Sequence, residues 1–161
     1  MNQIFKTHSP EETQAIGEQI GRKLKPGDVI ALIGDLGAGK TCLTQGIARG
    51  VGIAPDEIVN SPSYILINEY AGKIPIYHID LYRLQHADEI LDLGLEEYLE
   101  GDGICVIEWA DRMLDLLPEG SIQIHLVWED ESIRTIELQN NDERIQDAMN
   151  LLYPASLEPD Q

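Results

Sequence analysis

The sequence predicts an α/β protein whose sheet is part parallel and part antiparallel, flanked by helices. Three observations carry this. A short apolar run, Val29 to Ile33, reads as a buried strand leading into a glycine-rich loop and then a helix. Strand and helix patterns are mixed along the chain, as in a layered α/β fold. Two segments, 64–79 and 122–138, read as hairpins and so require antiparallel pairing. The loop is Gly34-Asp35-Leu36-Gly37-Ala38-Gly39-Lys40-Thr41, which fits G-x-x-x-x-G-K-[ST], so the architecture expected is P-loop NTPase-like.

The elements follow in order. Residues 9–24 form a helix: Ser9 as N-cap, Pro10 at the first position and Glu12 closing a capping box, with Ile16, Ile20 and Leu24 on one face. Pro26-Gly27-Asp28 turns into strand 29–33. After the loop a helix runs from Gly39 to Gly50, with Leu43 and Ile47 four apart. Residues 53–62 are loop with a helical turn. Tyr64 to Tyr70 and Ile74 to Ile79 are strands joined by Ala71-Gly72-Lys73, the second ending in Asp80. Residues 81–99 are helical in two pieces broken near Gly94. Ile104 to Ile107 is a strand ending in Glu108-Trp109, followed by a short helix over 110–117 stopped by Pro118. Ile122 to Trp128 and Ile133 to Leu138 alternate and form a hairpin across 129–131. Asp142 caps a last helix reaching Leu152. Residues 1–153 make one domain and 154–161 a frayed tail; no repeat or linker divides the chain.

Bulk properties narrow the function. The 161 residues suit one domain, and 43% hydrophobic with 25% charged residues is an ordinary globular composition. The longest apolar run is too short to span a bilayer, and Met1-Asn2-Gln3-Ile4-Phe5-Lys6 lacks a signal-peptide core, so a soluble cytoplasmic protein is expected. The net charge of −18, from 29 acidic and 11 basic residues, argues against direct nucleic-acid binding and suits a basic partner surface. An anionic ligand must then be held by local devices. Of the two cysteines, Cys105 reads as a small core residue. Cys42 lies near a helix N-terminus, where a thiol pKa can fall; a packed helix residue is the favoured reading over a redox role. The four histidines show no metal-ligand spacing, and His78 and His125 read as core or edge residues.

The loop dictates the chemistry. Glycines let consecutive N–H groups turn toward phosphate oxygens, and the following helix adds its N-terminal dipole. Lys40 can reach the β- and γ-phosphates, and the Thr41 hydroxyl can ligate Mg²⁺. A carboxylate is needed nearby. Asp80 and Glu108 each end an apolar strand, at the sheet edge where nucleotides bind in open α/β folds. Either can be the metal side, with Glu108 the preferred partner of Thr41. Ser61, Ser63 and Tyr64 are either a γ-phosphate-sensing loop or a plain turn. Trp109 either borders the base or is simply a half-buried aromatic.

The motifs Gly34 to Thr41, Ser61-Pro62-Ser63-Tyr64, His78-Ile79-Asp80-Leu81-Tyr82-Arg83-Leu84 and Glu108-Trp109, in this order and spacing, resemble the TsaE (YjeE) family over roughly residues 9–130. The resemblance implies a small bacterial ATPase that binds ATP with Mg²⁺, releases ADP, and works with the TsaD–TsaB pair in making threonylcarbamoyladenosine in tRNA. It implies tRNA contact only through that complex, and a monomer when alone. It carries Lys40 and Thr41 over as phosphate and Mg²⁺ contacts, and Gly34, Asp35, Leu36, Gly37, Ala38 and Gly39 as the cradle. Asp80 and Glu108 become the acidic pair around metal and attacking water, Ser61 to Tyr64 the switch-like loop, and Thr13 a residue near the nucleotide. Two departures stand out: the family's Ser-Pro-Thr is Ser-Pro-Ser here, and a second Thr after Lys-Thr is Cys42, which leaves backbone contact there.

Two other functions compete. A small-molecule kinase needs arginines clustered on the transferred phosphoryl group, and the six arginines do not cluster in sequence. A nucleotide-gated binding module with negligible turnover needs only the loop. A GTPase is disfavoured, since no Asn-Lys-x-Asp occurs.

Overall fold

The computed structural model describes residues 3–60, 66–139 and 142–152. Seven strands form one sheet: β1 (Gln3–Thr7), β2 (Val29–Ile33), β3 (Ile67–Tyr70), β4 (Ile76–Asp80), β5 (Ile104–Glu108), β6 (Ile122–Trp128) and β7 (Arg134–Leu138), in spatial order β1-β7-β6-β2-β5-β4-β3. The helices are α1 (Pro10–Lys23), α2 (Lys40–Val51), α3 (Ala87–Leu91), α4 (Glu96–Leu99) and α5 (Glu143–Leu152), with a 3₁₀ segment over Ala110–Leu116. Strand β2 is parallel to both β5 and β6, and β4 is parallel to β5; the outer pairs β3–β4, β6–β7 and β1–β7 are antiparallel. The mixed sheet is therefore as the sequence predicts.

The central strands alternate between two apolar layers, which is why they read as unbroken apolar runs. Ile30 and Leu32 of β2, with Ile104 and Val106 of β5, face Ile16, Ile20, Leu43 and Ile47 of α1 and α2. Val29, Ala31, Cys105 and Ile107 face Leu81, Ile90, Leu95 and Met113 under the short helices. Ser9 caps α1 by accepting from the Glu12 N–H at 3.1 Å. The Glu12 carboxylate accepts from the His8 N–H at 2.6 Å, one residue before the partner a capping box would use. Among the described residues no helix is long and apolar enough to cross a membrane.

Several elements differ from expectation. Strand β1 has no counterpart in the sequence reading; its partner β7 lies at the far end of the chain. Strand β4 begins at Ile76, because Pro75 has no N–H for the ladder; its carbonyl instead accepts from Ile104 at 2.9 Å. Residues 81–86 are not helical: the Asp80 carboxylate accepts from the Tyr82 N–H at 2.9 Å and turns the chain. Helices α3 and α4 are short pieces on either side of Gly94, whose φ is 68°. Of the expected strand 64–70, Ile67–Tyr70 form β3, while Leu66 has φ 73° and lies outside it. Ser61, Ser63 and Tyr64, and the expected tail 154–161, lie outside the described residues.

Candidate functional site

The parallel registers bring the expected residues to one sheet edge. Glu108 pairs with Leu32 on one side and with Asp80 on the other, so both carboxylates sit at the C-terminal ends of adjacent strands. From the next strand end, β2, the chain enters the glycine loop and then α2. Gly39 precedes α2 with φ 102°, a left-handed conformation natural to glycine, and no side chain caps that helix. The first N–H groups of α2 are thereby left for a ligand, with the positive end of the helix dipole behind them.

Four side chains converge there. The Thr41 hydroxyl lies 3.2 Å from each oxygen of the Glu108 carboxylate. The Lys40 ammonium donates to the carbonyls of Gly34 and Asp35 and sits 4.1 Å from the centre of the Trp109 ring. Burial pushes the Lys40 pKa down, against the pull of Glu108, Asp80, Asp111 and Asp35. A phosphate would relieve that desolvation penalty by adding negative charge beside the ammonium. Asp80 and Glu108 are buried at 6% and 3% exposure, unusual for strand-end acids. Together with Leu36, Gly37, Gly39, Cys42 and Tyr82 these residues line a cleft of about 440 Å³. Trp109 is held with φ 59°, a rare conformation for a non-glycine residue, and its ring packs 5.2 Å from that of Tyr82. Its place is over Lys40.

A smaller cleft of about 110 Å³ joins the loop at Gly39 and Cys42 and is lined by Ser9, Pro10, Thr13 and Arg134. Thr13 is therefore close to the loop, but its hydroxyl is buried and bonded to that of Thr7 at 2.7 Å. The Cys42 thiol donates to the Pro10 carbonyl at 3.3 Å. Burial, then Glu11, raise its pKa against Arg134 and Arg49, the reverse of a thiol activated by a helix N-terminus. The packed reading of Cys42 is the one the geometry supports.

Oxygen donors suit a hard cation. Thr41 and Glu108 fit Mg²⁺ held jointly with phosphate oxygens, the usual arrangement for an ion that keeps few protein ligands. Among the described residues no cluster of three or more His, Cys, Asp or Glu makes a cage for a metal.

Sequence reasoning missed three residues. His78 is fully buried against Glu108, Tyr70 lies behind it, and Arg134 reaches the loop from the β6–β7 hairpin. The signal for His78 was available: at period two it shares a face of β4 with Asp80.

The family model for "Threonylcarbamoyl adenosine biosynthesis protein TsaE" matches residues 7–136. The chain is 50% identical over 121 residues to the Bacillus subtilis tRNA threonylcarbamoyladenosine biosynthesis protein TsaE, covering 74% of each chain. It is 46% identical over 143 residues to the same-named protein of a Nostoc species, covering 86% of this chain and 85% of that one. The crystal structure of Bacillus subtilis YdiB superposes with a TM-score of 0.76 at 37% identity, over 94% of both chains.

Proposed function

The chain belongs to the TsaE family, and from that premise we propose that it binds and hydrolyses ATP as an accessory subunit in forming threonylcarbamoyladenosine in tRNA. The observation that carries this is the Thr41–Glu108 contact beside Lys40, with Asp80 on the neighbouring strand. Lys40 exchanges its loop carbonyls for the β- and γ-phosphates. The loop N–H groups and the start of α2 hold the remaining phosphate oxygens. Thr41 and Glu108 hold Mg²⁺, which supplies charge neutralisation on those oxygens. Asp80, fixed at the end of β4, orients water near the terminal phosphoryl group. Trp109 closes the side of the cleft over Lys40. The TsaD–TsaB pair supplies the transfer chemistry and the contact with tRNA; a chain of net charge −18 is poorly suited to holding that polyanion itself.

The test is phosphate release from ATP with Mg²⁺, by the chain alone and with TsaD and TsaB added. Weak release that the partners stimulate, and that Lys40→Ala abolishes, is expected. ATP binding with no release under either condition would make the chain a nucleotide-gated binding module.

A further inference from the structure

We propose that His78 is a positioning residue that sets the orientation of the Glu108 carboxylate toward Thr41. This rests on the reading of Glu108 as the metal-side acid. His78 is 0% exposed, in the middle of β4, and its Nε2 donates to Oε2 of Glu108. Glu108 is itself buried, and its own strand offers that face only Ile104 and Val106. A carboxylate in such a place needs a donor, and an unmet one carries a large desolvation penalty. The imidazole holds Oε2, and the Thr41 hydroxyl stands 3.2 Å from both oxygens, so the histidine fixes the plane in which the carboxylate meets Thr41.

The imidazole is held in turn. Its Nδ1 faces the Tyr70 hydroxyl at 3.4 Å, and Tyr70 is 4% exposed. That hydroxyl accepts from the Asn60 N–H at 3.2 Å and lies 3.0 Å from the Asn60 carbonyl, so its one proton serves either that carbonyl or Nδ1. The Asn68 amide donates to the same carbonyl at 3.2 Å. A continuous polar string thus runs from Thr41 through Glu108, His78 and Tyr70 to the Asn60 backbone. Groups that orient a metal-side ligand in this way typically matter by roughly 10–100-fold in affinity or activity when removed.

The experiment compares the parent with His78→Leu, His78→Gln and Tyr70→Phe. ATP affinity is measured by calorimetry with Mg²⁺ and with EDTA, beside thermal melting and single-turnover hydrolysis with the partner proteins. The parent should bind ATP more tightly with Mg²⁺. His78→Leu should lose most of that gain, roughly 10-fold or more, while its affinity in EDTA stays put. His78→Gln, which keeps a donor near the Nε2 position, should recover much of the gain. Tyr70→Phe, a milder change that keeps the ring, should lose a few-fold and serves if His78→Leu does not fold. A Mg²⁺ gain that is unchanged in the folded variants, or absent in the parent, overturns the proposal. A parent that shows the gain but never releases phosphate overturns only the hydrolytic reading.

Discussion

The loop is carried by α2, and α2 is seated by its approach to α1, so Gly46→Ala is an informative perturbation. A Cβ at Gly46 would stand 2.1 Å from the Gln14 carbonyl oxygen and 2.8 Å from its carbon. Contacts of that kind are comfortable at about 3.5 Å, so the helices must part by about 1 Å. The neighbours cannot yield singly, because every one is backbone. Gly17, Gly21 and Gly50 repeat the situation, with carbonyl oxygens at 2.4, 2.3 and 2.1 Å from a Cβ. Helix propensity works the other way, since alanine gains about 1 kcal/mol over glycine in a helix interior. Overpacking costs about 1–3 kcal/mol, and rigid backbone on both sides puts this case at the upper end. The net expectation is a loss of about 2 kcal/mol, or about 4–8 °C in Tm at this size. Urea unfolding followed by circular dichroism reads it directly. Gly17→Ala, on the facing helix, should cost a similar amount. The double variant should cost less than the two together, because helices already parted accommodate the second methyl. A variant more stable than the parent would refute the close approach.

Lys40→Ala should leave the fold intact and weaken ATP binding by about 10- to 150-fold, the worth of one charge-assisted hydrogen bond of about 1.5–3 kcal/mol; unaltered affinity by calorimetry would contradict this. Burial holds the Lys40 pKa below the ordinary 10.5, and under the proposed function ATP meets the charged form, so affinity measured by calorimetry across pH should start to fall at a lower pH than an ordinary lysine dictates. Burial pushes the Cys105 thiol up to about 12 and raises Cys42 as well, so iodoacetamide at about pH 8 should label the native chain slowly. Fast labelling of Cys42 would contradict that. Arg144 ties α5 to the turn before β2, at 2.9 Å from Asp28 and 2.8 Å from Asp142, so Arg144→Met should cost about 1–2 kcal/mol at neutral pH. Burial pushes the Asp142 pKa up, but Arg144 and backbone N–H groups prevail and hold it below the ordinary range. A lowered carboxyl pKa stabilises above its unfolded value and loses that as pH falls. The gap between parent and variant should therefore narrow below about pH 4, which urea unfolding at both pH values would show.

What the sequence revealed was local. The glycine loop, the strand before it and the helix after it are specified by contiguous residues, and so is the 122–138 hairpin. Glu108 and Asp80 were visible because each interrupts an apolar strand with an acid. What it hid depends on distant partners. Strand β1 pairs with β7, and its only buried side chains are Phe5 and Thr7, too few to show a period. Glycines are weak helix formers, and only the crossing of α1 and α2 explains why these helices carry them. His78 read only as a core or edge residue because its partner Glu108 is contributed by a strand 30 residues on. The Asp80 turn is different, because its cause is local: the Asp80 carboxylate accepts from the Tyr82 N–H two residues on and outcompetes the helical pattern.

The most direct test of the site is ATP hydrolysis by Asp80→Ala and Glu108→Ala under single-turnover conditions with TsaD and TsaB, alongside ATP affinity with and without Mg²⁺. A metal-side ligand matters already in the bound state, whereas a water-orienting acid matters mainly in the transition state. Both variants should lose hydrolysis; Glu108→Ala should also lose Mg²⁺-dependent affinity, and Asp80→Ala should keep it. Hydrolysis at the parent rate by both variants would contradict the assigned site.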